Sequence, residues 1–252
     1  MVQVSSQAQL AAALRNQEPF IQITDDFPLT SQINILYDVT IESLMDETHT
    51  IYKAPEYNSY LFRIQNGGIL RLAHTIIDGQ SQYHDQASAA ARSLIYVTGG
   101  ALYLDEGVIL KNNISYGAGG GVSLYNGGSY TNQFHMTGNA RITGCSSRTN
   151  GGGASISLSS QDDIVSISGK AMIRPIMGAV STFILQSWDL EVRFLFREMY
   201  RLRIIPHHPL AAVSTFPATR TAAAPLPCSH WMGHLSFQAI RRSMGRQFIS
   251  MG

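Results

Sequence analysis

The glycine triplet Gly119-Gly120-Gly121 returns further along the chain as Gly151-Gly152-Gly153. Each leads into a short alternating apolar run, Val122 and Leu124 after the first, Ala154, Ile156 and Leu158 after the second. Gly67-Gly68 returns at the same interval as Gly99-Gly100. Between the triplets lie an Asn-Gly-Gly turn (126–128), a second run, a Thr-Gly-Asn turn (137–139) and a third run holding Ala140 and Ile142. A period of this size implies stacked coils, because one such repeat cannot bury its apolar face without a neighbour. Strand-like runs recurring without long helices between them exclude an alternating strand–helix fold. Residues 1–169 are therefore expected to form six or seven parallel coils, from repeat lengths of about 20 to 32 residues.

The rest of that segment fits the pattern. Val2 and Val4 read as a short strand, and Ser5-Ser6 offers a helix cap. Gln7 to Asn16 carries Leu10 and Leu14 on one face with Ala13 beside them, which predicts a helix. So short a helix is marginal alone, and it is expected to close the exposed end of the first coil. Strands are predicted around Phe20–Ile23, Ile33–Ile41, Leu61–Ile64, Ile69–Ile77, Leu94–Val97, Ala101–Leu104 and Val108–Leu110. Asn66-Gly67-Gly68 and Asp78-Gly79 read as turns between them, and Gln80 to Arg92 as a projecting loop. Asparagines at the turns tolerate left-handed backbone and are expected to bond to the equivalent asparagine one coil away.

The runs GGGVSL, NGGSY, MTGNARITG and GGALYL resemble the repeats of large bacterial cell-surface proteins with a right-handed parallel β-helix of the pectin-lyase-like type. Gly99 to Leu102 is also similar to the GGA(I/L) signature of polymorphic outer-membrane adhesins; their companion Phe-x-x-Asn signature has no match nearby. The resemblance covers residues 1–169. It implies an all-β, right-handed β-helix (17–169) behind an N-terminal strand and capping helix (1–16). It also implies a secreted or surface location and a face that binds a glycan or a surface protein.

The same fold hosts polysaccharide lyases and hydrolases, which work through clustered carboxylates with an Arg or Lys base. Asp162-Asp163 is the best local candidate, but adjacent residues of a strand point to opposite faces, so the pair reads as a solvated turn. Asp105-Glu106 before Gly107 reads as another turn. Arg63, Arg71 and Arg141 are spaced too irregularly for a stacked basic column, and His74 reads as a coil-surface residue. Cys228, His230 and His234, with His207-His208 upstream, match no structural zinc spacing. No catalytic, cofactor or metal residue is assigned, and the expected role is non-enzymatic.

At Gly169 the composition breaks. All ten asparagines and 18 of 22 glycines lie at or before it; both tryptophans and six of nine prolines lie after it. Residues 1–169 hold 8 Lys/Arg and 14 Asp/Glu, and residues 170–252 hold 10 and 3. The tail's nine arginines lack regularly spaced aromatic partners, so nucleic-acid binding is not expected. Two cysteines make no disulfide framework, and no run reaches the length of a membrane span. Met1 to Leu14 has no signal-peptide pattern, so the chain as written is expected to stay where it is made. MGAVSTF (177–183) recurs as LAAVSTF (210–216), at an interval close to that of the glycine triplets. Shifted by one reading frame, both permit Gly-Gly-Gly-Val-Tyr-Ile, the first half's own motif. Residues 170–252 are thus expected to be an out-of-frame, irregular tail that leaves the last coil uncapped and open to self-association.

Overall fold

The computed structural model describes residues 1–83, 88–125, 130–158 and 162–175, and the strands at 183–186 and 202–204. The chain divides into two units, Met1–Pro217 and Ala218–Gly252, and every described residue belongs to the first. In chain order it runs through β1 (Val2–Val4), α1 (Gln7–Arg15), β2 (Phe20–Ile23), β3 (Phe27–Leu29), β4 (Ile33–Ile35), β5 (Asp38–Ser43) and β6 (Thr50–Lys53). It continues with β7 (Phe62–Ala73), β8 (Ile76–Asp78), β9 (Ile95–Leu104), β10 (Ile109–Lys111), β11 (Ile114–Ser115) and β12 (Val122–Tyr125). The last described elements are β13 (Asn132–Met136), β14 (Arg141–Ser147), β15 (Ala154–Ser157), β16 (Ile164–Ile167), β17 (Met172–Pro175), β18 (Phe183–Gln186) and β19 (Leu202–Ile204).

The pairings among the described strands are parallel, and together they make a β-solenoid with three faces. On the first face Ile21, Ile41, Leu72, Leu104, Met136 and Ile167 stack in register. On the second, Phe27, Ile51, Ile77, Leu110, Ile142 and Ile173 do the same. Ile35, Ile64, Val97, Leu124 and Ile156 form the third. Alternation within each strand sends these side chains inward, where nearly all are fully buried. Each such burial contributes about 1.5–3 kcal/mol, which is what sets the register.

From Ile41 the first-face column rises through Leu72, Leu104 and Met136 to Ile167, four turns whose length is within one residue of the interval read from the glycines. The expected six or seven coils are too many. Ile21 to Ile41 is a single, markedly shorter step, and the chain before it is one strand and a helix. That helix is placed as expected. Ser6 caps it by accepting from Gln9 N at 3.4 Å, and its buried Leu10 and Ala13 close the core beside β1 and β3. The stack also continues past residue 169: β17 pairs with β14, and β18 lies between β15 and β19.

Asn66-Gly67-Gly68 does not end a strand. β7 and β9 each run across a corner, lying on the third face before it and the first face after it. Asn66 and Gly67 bend the chain there with φ of 56° and 80°. The inter-coil role of asparagine also differs from the expectation. Asn132 Oδ1 accepts from Gly99 N, and Asn139 Oδ1 from Gly107 N, both at 2.7 Å. A carboxamide thus caps a backbone N–H of the coil before it, because corner backbone has left the ladder and needs a partner.

Candidate binding face

The inward side chains of the first face build the core, and the outward ones build a surface column. Continuing the same pairings, Phe20, Thr40, Arg71, Tyr103, His135 and Ser166 stack on successive coils. Neighbouring coils lie about 4.8 Å apart, a separation at which planar groups can stack. The Arg71 guanidinium carbon sits 3.8 Å from the centre of the Tyr103 ring. On its other side Tyr103 stacks on His135, with centroids 4.4 Å apart and planes 6° apart. Tyr103 donates to Gln133 Oε1 at 3.2 Å, and His135 Nε2 lies 3.4 Å from the same oxygen. Burial, with Arg71 nearby, holds His135 below the ordinary imidazole range against an opposing pull from Asp105. The imidazole is therefore neutral at neutral pH, so Arg71 is the column's standing cation.

Arg71 also pairs with Asp38, Nε to Oδ1 at 3.8 Å. Together with Pro19, Phe20 and Thr40 these two line a depression of ≈ 390 Å³. Phe20 is 55% exposed there although it belongs to a strand whose other residues are buried. A second depression of ≈ 110 Å³ lies at the glycine corner, lined by Gly67, Ile69, Gly100, Ala101, Tyr130, Thr131 and Gln133. Both flank the Arg71–Tyr103–His135 stack. One aromatic ring, one carboxylate, one hydroxyl and one guanidinium in a single depression can bind a ligand with apolar faces and many hydroxyls.

The other candidates fall elsewhere. Arg63, Arg71 and Arg141 lie on the third, first and second faces respectively, so they form no basic column. Arg63 lies 5.8 Å from the Tyr96 ring, which stacks on Tyr60 at 4.7 Å. The pair Asp162-Asp163 is not a solvated turn: Asp162 is exposed, but Asp163 is 2% exposed and its Oδ1 accepts from Asn132 N at 2.6 Å. Asp105 and Glu106 do form a turn, and Asp105 Oδ1 accepts from Thr137 Oγ1 at 3.1 Å. His74 holds a left-handed backbone, φ 48°, and its ring abuts Gly107. Cys228, His230, His234, His207 and His208 lie outside the described residues. Among the described residues no group of three His, Cys, Asp or Glu is placed to hold a metal ion, and no helix is long and apolar enough to cross a membrane.

Sequence reasoning passed over Tyr103, His135 and Phe20. The signal was present: Arg71, Tyr103 and His135 follow one another at the very interval already read from the glycines. Applying that interval to outward positions as well as to inward ones brings the column out. No protein-family model matches the chain, and no curated protein matches it at a significant level.

Proposed function

We propose that the chain is a non-enzymatic β-solenoid, a piece of an adhesin-like surface or secreted protein, whose first face binds a glycan. The observation that carries this reading is the depression shared by Phe20, Asp38, Thr40 and Arg71. The Phe20 ring offers a flat apolar platform for the C–H face of a sugar. Asp38 accepts from sugar hydroxyls, and the Arg71 guanidinium donates to ring and hydroxyl oxygens. Stacking on Tyr103 holds Arg71 in place before the ligand arrives, which lowers the entropy lost on binding. A binding role is favoured over a catalytic one by the carboxylates: Asp163 and Asp105 are engaged within the fold, and Asp38 faces Arg71.

Titration of the full chain against a panel of neutral and acidic oligosaccharides tests this. Phe20→Ala and Arg71→Ala are each expected to weaken binding about tenfold or more, while Arg141→Ala, on another face, leaves it unchanged. Binding that ignores both substitutions, or a panel with no glycan ligand at all, overturns the reading. Steady release of reducing or unsaturated ends from a polyuronate would replace it with the alternative, a carbohydrate-active β-helix enzyme. A second reading, that the chain is the non-functional product of a frameshifted gene, is favoured by the composition break near Gly169 and by the paired heptads at 177–183 and 210–216.

A further inference from the structure

Among the mostly apolar side chains of the solenoid interior, the corner after the second face holds a buried amine. Lys53, the last residue of β6, is 2% exposed. Its Nζ donates to Asn113 Oδ1 at 2.8 Å and to Arg92 O at 3.3 Å. Continuing the pairing of Tyr52 with Asp78 places Gly79 on the coil between. A Cβ on Gly79 would stand 2.5 Å from that of Asn113, so only glycine leaves the path from Lys53 to Asn113 open.

Asn113 Nδ2 donates to Arg92 O at 2.9 Å and to Gly120 O at 2.6 Å, so Arg92 O already receives two bonds. The ammonium has a third N–H beyond its two partners. The hydroxyls of Ser93 and Ser115 are buried and have no hydrogen-bond partner among the described residues. Ser93 follows Arg92, and Tyr116 N donates to Ala91 O at 2.9 Å, which sets Ser115 level with Ala91, two residues before Ser93. The neighbouring Cys145 supplies no charge, because burial pushes its thiol up to about 12. Among the described residues Lys53 makes no ion pair with a carboxylate. An isolated buried ammonium is strongly disfavoured, and burial accordingly draws the amine down to about 8, which still leaves it mostly protonated near neutral pH.

We propose that this corner is a binding site for one small inorganic anion, chloride, held by Lys53 Nζ and the hydroxyls of Ser93 and Ser115. The anion accepts from all three donors and neutralises the amine, which a water molecule cannot do.

Urea unfolding of the full chain at constant ionic strength, with chloride replacing gluconate, tests the site. At pH 7 the unfolding equilibrium constant is expected to fall about tenfold for each tenfold rise in chloride above the dissociation constant. In gluconate alone the folded amine titrates near 8 and the unfolded one near 10.5, so stability rises with pH across that window. Chloride acts only on the protonated amine, so it flattens that rise and has no effect above it. Lys53→Met removes both responses. Crystals grown in bromide are expected to show an anomalous peak beside Lys53 Nζ. Chloride and gluconate series that coincide at pH 7, or bromide crystals with no such peak, overturn the proposal; neither measurement depends on a variant folding.

Discussion

Asp162 and Asp163 are chemically identical neighbours just before β16, the first exposed and the second buried. Asp163 shares its parity with the buried Val165 and Ile167, so its carboxylate lies inside, where it caps Asn132 N. A charge-assisted bond of this kind contributes about 1.5–3 kcal/mol, and removing the acceptor strands a buried N–H. Asp163→Ala is therefore expected to cost about 2–3 kcal/mol in urea unfolding, with Asp163→Asn, which keeps one acceptor oxygen, losing less. A variant that unfolds like the parent rules out the cap. The inward direction of Asp163 was legible from alternation alone, as was that of Lys53, next in parity after the buried Ile51. Their partners were not. Lys53 meets Asn113 from 60 residues away because a corner, and not a strand, brings them together. Corner geometry depends on left-handed residues and missing side chains, which no hydrophobic period encodes.

At the scale of the element, register was the most legible feature and loop length the least. The glycine interval predicts which apolar residues stack over the four later turns, since one slipped residue would turn every side chain to the wrong face. It does not predict the short first turn, whose single step from Ile21 to Ile41 leaves no repeated interval to detect. Glycine, read as a turn signal, proved to mark close approach between coils. A Cβ on Gly100 would stand 2.8 Å from Ile64 Cγ2 and closer still to the carbonyl oxygen of Gly68, and backbone held between two coils cannot step aside. Gly100→Ala is expected to lower stability by about 1–3 kcal/mol, the cost of overpacking. Gly117, with nothing within 4 Å of its added Cβ, is the matched control, and Gly117→Ala is expected to stay within about 0.5 kcal/mol. Equal midpoints for the two variants in thermal unfolding would show that the coil corners are not tightly packed.

For the molecule as a whole, a solenoid is a sum of neighbour interactions, so its early coils do not depend on what is encoded far downstream. A reading-frame slip can therefore leave four well-formed turns intact and alter everything after it. The described stack runs through β17 and on to β18 and β19, and the first of the paired heptads begins at Met177. The slip is expected close to Gly169 and Lys170, where the composition breaks. Methionine has a single codon, so the last base of codon 177 with the first two of the Gly178 codon must spell glycine in the shifted frame. Codon choice at 178–183 and 210–216 then decides whether Gly-Gly-Gly-Val-Tyr-Ile is written there twice. Any one permitted match means little, because synonymous codons allow many readings. Two in the same offset, spaced close to the period of the folded coils, are much harder to obtain without a shared origin. Determining the nucleotide sequence from codon 165 onward settles it. Glycine-led repeats in the shifted frame, uninterrupted through the codon for Phe216, are the expected result; stop codons in that frame, or codons that do not spell the glycines, show that Lys170 to Gly252 is the chain's native sequence.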